Sequence, residues 1–267
     1  MSRYWGWAIA LIVSIAGFGA ATAADLPVKA PPVIAVEYNW SGIYGGINAG
    51  WSRDHYHWQY TNPSPATCCA PFSTDRDDWF VGGHLGAQYE FNHFVLGVEA
   101  AIMTPGDDNF SNTVGCVAPN SLTIGCGIRR DTVVTAGGRL GYAWDKWLVY
   151  GSGGWAWTNI RSRLTNPPPS IVTVFDQTGV RYDDGWYAGV GFEYMLLKGV
   201  LADVIVGAEY QHIDFGTRLH LSSLDGFAPC PPGVNCRNIS ATEDLVRARL
   251  SFKWNPFVAA TPVVARY

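Results

Sequence analysis

The stretch GRLGYAWDKWLVYGSGGWAW (residues 138–157) decides the fold. Its first half repeats every second residue: Val134, Ala136, Gly138, Leu140, Tyr142 and Trp144 share one face, and Arg139 lies opposite. A period of two is that of a strand with unlike faces. The second half, WLVYGSGGWAWT (147–158), is ambiguous until Asp145-Lys146 is taken as a two-residue turn. Residues flanking such a turn face one another on the same side of a hairpin. Trp147 therefore joins Trp144, and Val149, Gly151, Gly153, Trp155 and Trp157 follow on the apolar face.

Outward from this hairpin the same alternation recurs. The apolar face is Val81, Leu85, Ala87, Tyr89 and Phe91 in 79–91, with His84, Gln88 and Glu90 opposite. In 94–102 it is Phe94, Leu96, Val98, Ala100 and Ile102, with Glu99 opposite. In 186–197 Trp186, Val190, Phe192 and Leu196 stand against Glu193, and in 202–213 Val204, Val206 and Tyr210 stand against Glu209. Residues 43–54 carry Ile43, Ile47, Ala49 and Trp51 against Asn48. The last candidate sets Val246, Ala248, Leu250, Phe252 and Trp254 against Arg247, Arg249, Ser251 and Lys253. That makes eight strands. Short turns near 92–93, 145–146 and 198–201 alternate with long polar loops over about 55–78, 103–131, 161–183 and 215–243. Short turns at one end, long loops at the other and strands of ~10 residues predict an all-β fold: an eight-stranded antiparallel transmembrane β-barrel with short periplasmic turns and long extracellular loops.

Composition narrows the rivals. Hydrophobic residues are 48% of the 267, charged residues 15%, with 30 Gly and 12 Trp. Eighteen Lys and Arg against 22 Asp and Glu leave no basic footprint for nucleic acid. A soluble lipocalin-like barrel would place its apolar face inside. Two features favour the inverted arrangement. The polar faces carry only four acids (Glu90, Glu99, Glu193, Glu209) and four bases (Arg139, Arg247, Arg249, Lys253), a balanced set suited to a closed interior. Aromatics mark the strand ends: Phe91, Phe94, Trp144, Trp147 and Trp254 at the short turns, Trp51, Trp79, Trp157 and Trp186 at the long loops. Two aromatic girdles are what membrane–water interfaces select.

Residues 1–23 read as a secretory signal peptide, with Arg3, an uncharged apolar run and the small-residue site Ala21-Thr22-Ala23. A transmembrane anchor competes; the cleavage site and the following Asp25 and prolines favour removal. The expected organisation is a Pro-rich periplasmic lead-in over 24–38, the barrel over 39–254 and a tail over 255–267. Export makes disulfides expected among Cys68, Cys69, Cys116, Cys126, Cys230 and Cys236, which fall as three local pairs. Six cysteines allow ~15 connectivities, and no spacing points to zinc.

The segments ADLPVKAPP, YNWSGIYGGINAG, FVLGVEA, GRLGYAWDKWLVYGSGGWAW, GAEYQHIDFG and VRARLSFKW together resemble the porin-family small outer-membrane proteins of alphaproteobacteria, OmpA-type and opacity-like eight-stranded barrels. The resemblance covers nearly the whole chain after residue 23. It implies residence in the outer membrane of a Gram-negative bacterium, insertion by the barrel-assembly machinery through the last strand, and a largely structural role. Some members are haemin binders or adhesins. Glu99, Arg139, Glu193 and Glu209 match the family's inward charges, and Phe252 and Trp254 its assembly signal; Arg249 stands where that signal often has Gly.

Outer-membrane lipid is the expected surrounding, the chain is expected to be a monomer, and no cofactor or enzymatic activity is expected. Two clusters bear on that. His55 and His57 share one face and are haem or metal ligand candidates, although two imidazoles are an incomplete site. His212, Asp214, His220 and Ser222 are hydrolase residue types, without a nucleophile signature. A small-solute porin is a further alternative, but eight strands give a lumen that side chains fill.

Overall fold

The structure, a computed structural model, describes residues 38–60, 71–107, 109–110, 113–117, 123–165, 174–177, 182–199, 201–221 and 237–254. The expected signal peptide, most of the lead-in, the tail, Ser222 and Cys68, Cys69, Cys230 and Cys236 lie outside these residues. Contacts divide the chain into Met1–Val36 and Glu37–Tyr267, and only the second unit contains described residues.

Eleven strands form: β1 (Gly42–Tyr60), β2 (Phe72–Phe91), β3 (Phe94–Pro105), β4 (Thr113–Val117), β5 (Thr123–Arg130), β6 (Val133–Trp144), β7 (Trp147–Thr165), β8 (Val174–Gln177), β9 (Tyr182–Leu197), β10 (Asp203–His220) and β11 (Arg237–Trp254). Eight of them close a ring in the order β1-β2-β3-β6-β7-β9-β10-β11, every pairing antiparallel, with β11 returning to β1. The expected eight-stranded barrel is what forms. The other three are short strands within the outer connections: β5 and β8 flank the outer part of β7, and β4 pairs β5. In that hairpin Cys126 opposes Thr113 and Cys116 opposes Ile124 in the backbone register.

Register fixes the barrel's dimensions. From Ile43 the cross-strand partners run Ala87, Val98, Gly138, Gly153, Ala188, His212 and Asp244, and return to β1 at Arg53, ten residues on. With ~3.3 Å per residue and ~4.8 Å between strands, a shear of ten over eight strands tilts them about 40° and sets a radius of about 8 Å. Each residue then rises about 2.5 Å along the barrel axis, so Trp147 and Trp157 stand about 25 Å apart, the height of a barrel's apolar band.

The expected turns at 92–93 and 145–146 form. Asn92 and His93 both take positive φ (47° and 70°), the pattern of a type I′ turn, and at Asp145-Lys146 Asp145 takes φ 55°. The apolar faces point outward: Ile47, Leu85, Leu96, Val98 and Val190 are each more than 60% exposed at mid-strand, between the two aromatic rings. No helix among the described residues is long and apolar enough to cross a membrane; the strands cross it instead.

The strands are longer than expected. β1, β2, β7, β10 and β11 run 18 to 20 residues, well into stretches that periodicity assigned to loops. The reason is a reversal of hydrophobicity. In β1, Ile47 faces outward below the outer ring and Trp51 within it; above it Arg53, His55 and His57 face outward while Tyr56 and Trp58 turn in and are buried. Outside the bilayer the strand meets water on its outer face, so the apolar residues change sides. A second departure is in β10. Gly216 (φ 64°) forms a bulge between Asp214 and Thr217, its N–H donating to Asp214 Oδ1 at 2.7 Å. The extra residue moves His220 from the outer face to the inner one.

Candidate functional site: a charge cage between two apolar plugs

The interior is layered, with charge between apolar ends. At the periplasmic end Trp40, Val95, Ala143, Leu148, Tyr150, Met195 and Ile205 form one apolar cluster. Trp40, just before β1, is fully buried. Its N–H donates to Glu90 Oε2 at 2.7 Å and its carbonyl accepts from Gln88 Nε2 at 2.6 Å. Lys253 pairs with Asp203 at 3.0 Å and donates to the Asn39 carbonyl. Glu90 and Lys253 thus anchor the segment that stops the periplasmic mouth and stand apart from the other six charges.

Those six converge near mid-membrane. Arg139 makes a two-pronged contact with Glu193, at 2.7 and 3.1 Å, and reaches Glu99 at 3.3 Å. Arg249 does the same with Glu99, at 2.6 and 2.9 Å, and also donates to Glu209 at 2.6 Å. Arg247 donates to Glu209 at 2.6 Å and to Glu99 at 3.1 Å. Three guanidiniums and three carboxylates therefore neutralise one another, as burial of charge requires. Bidentate pairing of this kind needs the planar fork of Arg.

Two tyrosines complete the cage. Tyr44 donates to Glu99 at 2.8 Å and Tyr150 to Glu209 at 3.1 Å; the Arg139 guanidinium lies 4.2 Å from the Tyr150 ring centroid. Their rings need room that glycine supplies. A Cβ at Gly86 would come within 2.4 Å of the Tyr44 ring, and one at Gly191 within 2.6 Å of the Tyr150 ring. Ser152 and Gln211 add hydrogen bonds to Glu209, each at 2.8 Å.

Above the cage lies a second apolar cluster that includes Phe80, Met103, Val133, Ile213, Leu245, Tyr56 and Ile128. Charges are set into this outer end too: Asp54, Asp78, Arg130, Asp183, His220, Arg237 and Glu243 are all buried. All but Asp54 lie in stretches that periodicity assigned to loops; the phase of the lengthened strands puts Asp78, Asp183, Arg237 and Glu243 on the inner face, whereas Arg130 belongs to the added strand β5 and the Gly216 bulge shifts the parity of His220.

His55 and His57 stand on the outer face above the girdle. His55 Nδ1 is 2.8 Å from Asp75 and its Nε2 4.0 Å from Asp244; His57 Nδ1 is 2.8 Å from Ser73 Oγ. His212 contacts the same Asp244 at 2.8 Å, so burial's upward push on that carboxyl is outweighed by hydrogen bonds from Tyr210 and His212 and its pKa is lowered. Among the described residues no three His, Cys, Asp or Glu are grouped to hold a metal ion. The His212, Asp214 and His220 cluster does not assemble: His212 and Asp214 lie on the outer side, and His220 is inside, 3.3 Å from Asp183.

The chain is similar to several known outer-membrane proteins. The 25 kDa outer-membrane immunogenic protein of Brucella abortus is 27% identical over 228 residues, 85% of each chain. The 31 kDa outer-membrane immunogenic protein of Brucella melitensis is 29% identical over 237 residues, covering 78% of this chain and 87% of that one. Among solved structures, outer membrane protein OprG of Pseudomonas aeruginosa aligns with 80% of this chain and 97% of its own at 14% identity and TM-score 0.45. Outer membrane protease OmpT of Escherichia coli aligns over the same shares at 11% identity and TM-score 0.46. The family model for the outer membrane protein β-barrel domain matches residues 10–230, and the chain belongs to that family.

Proposed function

We propose that this protein is a structural and surface protein of the outer membrane, a closed scaffold that carries its outer connections to the cell exterior. One observation carries the reading: along the axis the lumen is filled by Trp40, then the six-charge cage, then the outer apolar cluster, each with members at most 1% exposed. A lumen so filled does not serve as a diffusion pore. Function then resides in the outer ends of the strands and their connections, in contact with host or ligand. The Brucella relatives' names call them immunogenic, which fits surface exposure of this kind. The barrel is a monomer in lipid, inserted by the assembly machinery through β11.

Planar-bilayer recording tests the reading. Conductance should stay far below that of a 16–18-stranded porin. Large, stable openings would overturn it. In the outer-membrane fraction the folded barrel should migrate faster than the heated one, and protease added to intact cells should reach it.

A second reading assigns haemin capture to His55 and His57, both on the outer face with their Nδ1 atoms held and Nε2 turned away from those partners. Replacing both by Ala should then weaken haemin binding; unchanged affinity would dispose of the idea.

A further inference from the structure

The outer end contains two carboxylates whose positions no structural requirement of the cage explains. Asp54 of β1 and Glu243 of β11 are direct cross-strand partners, both facing inward and both 2% exposed. Like charges placed directly opposite destabilise a sheet. They also lie on the seam where the first strand meets the last. One guanidinium touches both. Arg130, at the end of β5, reaches Asp54 Oδ2 at 3.4 Å, pairs with Glu243 and donates to Ser52 Oγ at 3.3 Å. Among the described residues, the other charges facing the pair do not balance it. From β2, Arg76 lies 3.0 Å from Asp78 and also donates to the carbonyls of Asp107 and Asn109. Tyr56 donates to Asp54 at 3.1 Å, and Asp244 turns outward to Tyr210 and His212. Two carboxylates against one base, in apolar surroundings that include Ile128, Ala241 and Leu245, leave one negative charge over. Among the described residues no three such groups are placed to bind a metal ion, and a proton is the partner that would neutralise the excess charge.

We propose that the Asp54–Glu243 pair holds one proton and that this proton controls the closing seam of the barrel at its outer end. With the proton bound, a carboxylic acid faces a carboxylate and Arg130 is matched one to one. With it released, two like charges stand opposite each other across β1 and β11, and the seam and the adjoining β5 loosen. The electrostatics agree. Burial pushes the Glu243 carboxyl up to about 7, Arg130 opposing and Asp54 adding, and burial raises Asp54 as well. A carboxyl raised on folding contributes stability that is complete below its ordinary value and lost as pH rises through the folded value. The outer seam is therefore firm at mildly acidic pH and loosens through neutrality.

Hydrogen exchange of the full chain in lipid nanodiscs tests this, read in peptides spanning 52–58 and 239–246 and corrected for the intrinsic pH dependence of exchange. Between pH 5.5 and 8.5 protection in the wild type should fall by about tenfold, with a ceiling of about 30-fold set by a carboxyl moved from 4.5 to about 7. Glu243→Gln, a neutral isostere, should abolish the dependence and keep the acid level of protection; Asp54→Asn should do the same if that variant does not fold. A protonated-carboxyl infrared band should be present at pH 6 in the wild type and weaken by pH 8.5. Protection that changes less than twofold in the wild type, a slope that survives in the variant that folds, or absence of the band would each overturn the proposal.

Discussion

Arg249→Met is the sharpest probe of the cage. Arg249 contacts all three of its carboxylates: Glu99 through both prongs, Glu209 at 2.6 Å and Glu193 at 3.5 Å. Met fills a similar volume without charge, so the variant leaves Glu99, Glu193 and Glu209 facing only Arg139 and Arg247. Breaking a buried pair from one side costs about 3–5 kcal/mol. At a urea slope of about 2 kcal/mol per M the unfolding midpoint should fall by about 2 M. Adding Glu99→Gln removes the excess charge. What remains is two one-to-one pairs, Arg139 with Glu193 and Arg247 with Glu209, both present in the wild type. The double variant should therefore return to within about 1–2 kcal/mol of the wild type, a coupling of at least about 2 kcal/mol. Urea titrations of all four proteins in lipid, followed by tryptophan fluorescence and heat-modifiable migration, measure it. Additive losses, with the double variant the least stable, would refute mutual neutralisation as the organising principle of the lumen.

Other substitutions test other layers. Trp40→Ala should lower stability by about 3–5 kcal/mol, because the fully buried ring leaves a cavity in the periplasmic mouth; urea midpoints read it. Gly191→Ala should displace Tyr150 from the cage at about 1–3 kcal/mol, whereas Gly151→Ala, whose Cβ meets nothing closer than 3.8 Å, should be neutral in the same titration. Val98→Arg, on the lipid face near mid-membrane, should cost about 2–4 kcal/mol in bilayers.

The membrane-embedded part of the fold was legible because lipid outside and charge inside differ so strongly. Leu140 and Arg139 sit next to each other in sequence, and the 138–157 hairpin alone sets the phase of two strands. Six of the eight interior charges read from the sequence meet in one cage. Glu90 and Lys253 do not, because their positions near the turns place them at the mouth, where Trp40 enters. Tyr150 was recoverable from the turn at 145–146, since its parity is that of Leu148 and Ser152. The outer third was not legible by the same rule. Above Trp51 the alternation persists but its sense inverts, with Tyr56 and Trp58 inward and His55 and His57 outward. A search for apolar residues on one constant face ends the strand where the membrane ends. The bulge at Gly216 hides His220 in the same way, by shifting parity through one extra residue.

The central claim is that the apolar face of every membrane-crossing strand meets lipid while the charged face is sealed inside. Spin labels placed one at a time at Ile47, Leu85, Val98, Val149 and Val190, with Ser152 as the inward control, test it by comparing relaxation by oxygen with relaxation by a water-soluble nickel chelate in bilayers. The five outward labels should be strongly relaxed by oxygen and shielded from nickel, and the inward label shielded from both. Outward labels accessible to the chelate and silent to oxygen would contradict it.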